Sequence, residues 1–124
     1  MFSDNDATPG KLLVCDIKHI QNMEVLTDLD AMQQLLGKIC NKYDFHVISK
    51  NSHLFDGCGF TLLWMLSESH LSIHTFPERQ YLAFDIYTCR HYSDNSVYEE
   101  IYQFLVSELD ASNCHYSIID RSFS

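Results

Sequence analysis

Between Ser67 and Glu78 the chain reads SESHLSIHTFPE. A hydroxyl nucleophile, Ser69, stands between Glu68 and His70. His74 follows five residues later, and a thiol, Cys89, ends the next apolar run, YLAFDIYTC. Hydroxyl, imidazole, carboxylate and thiol groups so close together can perform nucleophilic attack and proton transfer. A hydrolytic triad is one such use, but Ser69 lies in no GxSxG elbow and no strand–turn–helix pattern surrounds it. A Cys89–His74 nucleophile pair carries no local signature. His70 and His74 would need helical spacing to hold one metal ion; on a strand they share a face but stand about 13 Å apart. The cysteines at 15, 40, 58, 89 and 114 form no CxxC or CxxH pair, so no zinc site of the usual spacing and only free thiols are expected.

The elements that must position these groups follow from hydrophobic periodicity. KLLVCDI (11–17) suits a buried strand. Thr27 or Asp28 can cap a helix in which Leu29, Met32, Leu35, Leu36 and Ile39 recur at helical spacing. FHVISK (45–50) alternates as a strand, and NSHLFDGCG (51–59) reads as a loop. FTLLWML (60–66) is apolar on both faces. HLSIHTF (70–76) alternates, with Leu71, Ile73 and Thr75 on one side and His70, Ser72, His74 and Phe76 on the other. YLAFDIYTC (81–89) is a further strand, and HYSIID (115–120) is the last. Between them, Ser96 and Glu99 offer a capping box to a helix whose apolar face is Val97, Ile101, Phe104, Leu105 and Leu109. Residues 1–10 read as a flexible lead-in. The order β-α-β-β-β-β-α-β, with short links between the central strands, predicts an α+β fold. We expect a two-layer sandwich, a mainly antiparallel sheet with two helices on one face. The other face is left for water or a second subunit.

A chain of 124 residues, 46% hydrophobic and 20% charged, is expected to form a single domain over 1–124. Its net charge of −9 argues against nucleic acid as a partner, because phosphate binding needs clustered Lys and Arg. No apolar run reaches the roughly 18–20 residues that span a bilayer, and the start, MFSDNDATPG, is acidic and polar. The expectation is no membrane association and a cytoplasmic location.

SESHLSIHTFPE followed by AFDIYTC resembles the S-adenosylmethionine decarboxylase family, in its short prokaryotic-type, pyruvoyl-dependent branch. The family pattern runs E-S-H-x-x-I-H-T-W-P-E, then a strand closing in T-C. HLF at 53–55 and Thr61 fall in the same register, and the likeness extends over about residues 10–120. The resemblance implies that the Ser69 hydroxyl attacks the carbonyl of Glu68 and that the chain cuts itself into a β chain, 1–68, and an α chain, 69–124. Ser69 would become a pyruvoyl group, the electron sink that amino-acid decarboxylation needs. By the same resemblance His74 takes the serine α-proton, Thr61 supplies a supporting hydroxyl and Cys89 reprotonates the substrate carbon. Phe55 and Phe76 would stack on adenine, and Glu78 would hold the ribose hydroxyls.

The implied substrate is S-adenosylmethionine, the implied role is supply of its decarboxylated form for spermidine biosynthesis, and the implied assembly is a homodimer of αβ protomers. Some positions depart from the pattern. Phe76 replaces tryptophan, Arg79 and Gln80 replace Tyr and Gly, Leu12 replaces a histidine, and TCR instead of T-C-G sets Arg90 beside Cys89. Two alternatives stay open: a pyruvoyl-dependent ornithine or arginine decarboxylase on the same fold, and a catalytically silent regulatory paralogue.

Overall fold

Strand alternation decides the layering. In a computed structural model, which describes residues 9–123, six strands form one sheet. They are β1 (Lys11–Ile17), β2 (Val47–Leu54), β3 (Phe60–Leu66), β4 (Ser69–Phe76), β5 (Tyr81–Thr88) and β6 (His115–Asp120). The order across the sheet is β2-β3-β4-β5-β1-β6, and every neighbouring pair is antiparallel. One face carries Leu13, Cys15 and Ile17 of β1, Phe60, Leu62, Trp64 and Leu66 of β3, Leu71 and Ile73 of β4, and Leu82, Phe84 and Ile86 of β5, all buried. Three helices, α1 (Met23–Thr27), α2 (Leu29–Lys42) and α3 (Ser96–Glu108), supply the rest of this core. They contribute Leu26, then Met32, Leu35, Leu36 and Ile39, then Tyr98, Ile101 and Leu105. Each such side chain contributes about 1.5–3 kcal/mol on burial. The expected two-layer α+β sandwich is the architecture found.

Asp28 caps α2, its Oδ1 accepting from the N–H groups of Asp30 and Ala31. The short helix α1 was not legible in the periodicity, because five residues hold too few turns to repeat; Asn22 caps it. The expected capping box at Ser96 is corrected. Ser96 is the first helical residue, its N–H donates to Asp94 Oδ1 at 2.9 Å, and the N-cap is Asn95. The Asn95 side chain is drawn away from the helix by Lys11 Nζ, 2.5 Å from its Oδ1. The loop expected at 51–59 is also corrected, because β2 continues through Leu54. This strand is an exposed edge held by backbone pairing to β3, so its side chains carry no apolar alternation to read. Of the lead-in, residues 1–8 lie outside the described residues. Among the described residues no helix is long and apolar enough to cross a membrane.

The short connections decide where the reactive groups fall. Ser67 and Glu68 alone join β3 to β4, with Leu66 opposite Ser69. Pro77–Arg79 form a single 3₁₀ turn leading to β5, and Gln80 closes it at φ +51°. The conformation that glycine would adopt freely is thus held here by a hydrogen bond from Gln80 Nε2 to the Ile20 carbonyl, 2.9 Å.

Candidate active site

Two clusters form, at opposite ends of β4. The first surrounds the peptide bond between Glu68 and Ser69. Ser69 opens the strand opposite Thr88 of β5, on the helix side of the sheet. Its Oγ is buried and has no hydrogen-bond partner among the described residues. A buried hydroxyl left unsatisfied costs about 1–3 kcal/mol, so the position holds a group its surroundings do not stabilise. The carbonyl oxygen of Glu68 accepts two hydrogen bonds from one residue, from the Cys89 N–H at 3.2 Å and from the Cys89 thiol at 3.0 Å. Burial, then the charge of Glu68, pushes the Cys89 thiol up from its ordinary pKa, with Arg90 and a backbone hydrogen bond offsetting part of the rise. The thiol is therefore protonated at neutral pH and able to donate.

The second cluster lies at the far end of β4, on the open face of the sheet. His74 pairs with Thr61 across β3 and β4, and its Nδ1 is 3.0 Å from the Thr61 hydroxyl. Both line a cavity of about 720 Å³ together with Phe55, Phe76 and Glu78. That volume is in the range of small-molecule sites. Phe55 and Phe76 are 53% and 40% exposed, so both rings are available in the cavity and neither is a core aromatic. Gly57, at φ +96°, turns the loop that carries Phe55 back towards Gly59.

The structure thus gathers Ser69, Glu68 and Cys89 at one end, and Thr61, His74, Phe55, Phe76 and Glu78 at the other. Five residues of strand separate Ser69 from His74, about 16 Å at the usual rise. Being an odd number apart, the two side chains also leave opposite faces of the sheet. Within one chain they do not meet.

A sequence profile of the family described as S-adenosylmethionine decarboxylase matches residues 11–122. The chain belongs to the S-adenosylmethionine decarboxylase family. A protein of Bacillus cereus named S-adenosylmethionine decarboxylase proenzyme 2 is 37% identical over 83 residues, 67% of this chain and 67% of its own length. A Methanococcus maripaludis protein named S-adenosylmethionine decarboxylase proenzyme is 32% identical over 113 residues, 90% of this chain and 92% of its own. The crystal structure of the adenosylmethionine decarboxylase from Aquifex aeolicus superposes with a TM-score of 0.82, covering 96% of this chain and 95% of that one at 22% identity, which establishes the shared fold.

Sequence reasoning missed several residues of this S-adenosylmethionine decarboxylase family site. Met23 and Thr27 of α1 and Asp56 also line the cavity, and no local motif marks them. Gly10 is the other omission. It adopts φ +136°, and a Cβ there would lie 2.2 Å from the Thr88 carbonyl oxygen and 2.8 Å from Cys89 Cα. Gly10→Ala must therefore push the Thr88–Cys89 segment, which carries both donors to Glu68. We expect it to destabilise the fold by about 1–3 kcal/mol, as overpacking does. A melting curve that matches the parent protein would show that this contact relaxes without consequence.

Proposed function

We propose that this chain is a self-processing, pyruvoyl-dependent S-adenosylmethionine decarboxylase that supplies decarboxylated S-adenosylmethionine for spermidine biosynthesis. One observation carries the reading: an unpartnered serine hydroxyl follows a carbonyl already held by two donors. Those donors polarise the Glu68 carbonyl and stabilise negative charge as it develops on the oxygen. Ser69 Oγ adds to the carbonyl carbon and the Glu68–Ser69 C–N bond breaks, leaving an ester and a free Ser69 amine. Removal of the Ser69 α-proton then breaks the Cβ–Oγ bond and expels Glu68 as a carboxylate. Water displaces the nitrogen from the dehydroalanine that remains, and ammonia leaves. The ketone produced from Ser69 supplies the electron sink for decarboxylation. Cys89, beside it and protonated, returns a proton to the substrate carbon.

The base for the α-proton has to come from a second copy. Packing two open sheet faces about 10 Å apart, with a two-fold axis crossing β4 near its middle and perpendicular to it, sets each Ser69 end over the other copy's cavity. The partner subunit's His74 then approaches the Ser69 Cα–H from the open face, opposite the buried Oγ, the side from which anti elimination of the Cβ–Oγ bond takes the proton. With Nδ1–H donating to Thr61, its Nε2 lone pair is free to accept the proton. The same packing covers Leu63 and Met65, 51% and 56% exposed on the open face of β3. The homodimer, (αβ)₂ after cleavage, holds two complete sites.

Phe55 and Phe76 supply stacking faces for adenine, each contributing about 0.5–1.5 kcal/mol beyond burial. Glu78 accepts hydrogen bonds from the ribose. Ornithine and arginine have no aromatic base to place there, and family membership favours the same substrate. The test is kcat/KM for S-adenosylmethionine, ornithine and arginine on the processed protein and on Glu78→Gln. We expect preference for S-adenosylmethionine, and a KM about tenfold higher in Glu78→Gln, the loss of about 1.4 kcal/mol of charge-assisted bonding. Self-cleavage should be unchanged. A preference for ornithine or arginine, or an unaltered KM, would assign these residues wrongly.

A further inference from the structure

Arg90 stands where the family pattern has glycine, directly after Cys89, and its side chain is largely buried at 26% exposure. Its guanidinium reaches two parts of the chain, Glu68 and the segment 43–45. Nε donates to Glu68 Oε1 at 2.6 Å, and the Glu68 side chain is itself only 22% exposed. Nη1 donates to the Tyr43 carbonyl at 2.5 Å, and Nη2 donates to the carbonyl of Asp44. The guanidinium plane also lies over the Phe45 ring, 4.4 Å from its centroid. Tyr43 is the C-cap of α2 and Asp44 follows it at φ +58°, so these carbonyls carry the negative end of the helix dipole.

We propose that Arg90 is a positioning residue for self-cleavage, acting through Glu68 to fix the turn that contains the bond to be cut. The proposal rests on the self-cleavage reading above. Glu68 is held at both ends: Cys89 donates to its carbonyl oxygen, and Arg90, the next residue, donates to its carboxylate. The Glu68–Ser69 peptide plane cannot rotate without disturbing one contact or the other. Ser67, the other turn residue, is tied by its N–H to the His46 carbonyl at 2.9 Å, in the same 43–46 segment that Arg90 grips. The β3–β4 turn, the end of α2 and the Cys89 segment are thus clamped together at the scissile bond. Such fixation matters because the attacking oxygen must stay about 3–3.5 Å from the carbonyl carbon, and an error of 1 Å costs up to roughly a hundredfold in rate. Lysine could neutralise Glu68 but could not reproduce the planar fork that reaches two carbonyls and a carboxylate together. Arg90 also balances charge. Once the bond breaks, Glu68 carries a main-chain carboxylate beside its side-chain one.

The test is the rate at which the intact chain disappears, followed by mass, in the parent protein, Arg90→Ala, Arg90→Lys, Glu68→Gln and the double variant Arg90→Ala/Glu68→Gln. Thermal melts of each identify the folded fraction. Arg90→Ala and Arg90→Lys should process about tenfold or more slowly while still folded. Glu68→Gln should also be slow. The double variant should be no slower than the slower single one, because both remove the same contact. A purely structural arginine would lower the melting temperature and leave the folded chain cutting at the parental rate; that outcome, or effects that multiply, overturns the role of Arg90. Should Arg90→Ala fail to fold, Arg90→Lys and Glu68→Gln test the same contact, and parental rates in both reject it. A parent chain that never cuts removes self-cleavage itself and this role with it, whereas equal cutting of parent and variants removes only the role of Arg90.

Discussion

Ser69→Ala should remain a single chain of 124 residues, resist hydroxylamine and decarboxylate nothing. Alanine removes the hydroxyl that attacks the Glu68 carbonyl, so neither ester nor ketone can form at this position. The fold should not suffer. The lost Oγ is buried and has no partner among the described residues, and relieving an unsatisfied hydroxyl is neutral or stabilising. The variant should therefore melt at or above the temperature of uncut parent protein, which separates loss of chemistry from loss of structure. A Ser69→Ala protein that still divides between residues 68 and 69 would place the nucleophile elsewhere.

The second large effect concerns assembly. His74→Ala alone should not complete processing, stalling at the ester that hydroxylamine can cut, whereas Ser69→Ala forms no ester. Coexpressed, the two should restore cutting, because a mixed dimer joins the intact Ser69 of the His74→Ala chain to the intact His74 of the Ser69→Ala chain. Random pairing puts about half of the His74→Ala chains into mixed dimers, so about half should be cut. Every Ser69→Ala chain should stay whole. The expectation of cutting in trans rests on strand geometry. Ser69 and His74 leave opposite faces of β4 at opposite ends, and Thr61 holds His74 at the far end. If coexpression leaves all chains intact while each protein folds, His74 does not act across the dimer.

Most of the fold was legible in the sequence because burial imposes its period. The bounds of β1 and β3 follow from their apolar runs, and Asp28 announces α2. The second half of β2 was not legible, since an edge strand held by backbone pairing can be polar throughout. Ser96 read as a cap because Ser and Glu stood at the right spacing, while the contact that diverts Asn95, a bond to Lys11, spans 84 residues of sequence. At the site, five residues of the motif, Phe55, Thr61, His74, Phe76 and Glu78, line one cavity. Whether Phe55 and Phe76 were core or cavity could not be read, because composition is the same in both. The division of the motif between two ends of a strand is implicit in the strand period, but the structure alone puts the cavity at one end and the Glu68–Ser69 peptide with Cys89 at the other. Arg90 departs from the family pattern, and no local signal in the sequence points to its partners, Tyr43, Asp44 and Glu68, which meet it beside the Glu68–Ser69 peptide.

The most direct measurement is the mass of the purified, untreated protein under denaturing conditions. The account requires two chains, residues 1–68 and residues 69–124, with the second lighter by one ammonia than simple hydrolysis of that bond would leave it. A single mass for the whole 124-residue chain after prolonged incubation, or a second fragment that keeps a serine amine at its start, would contradict it.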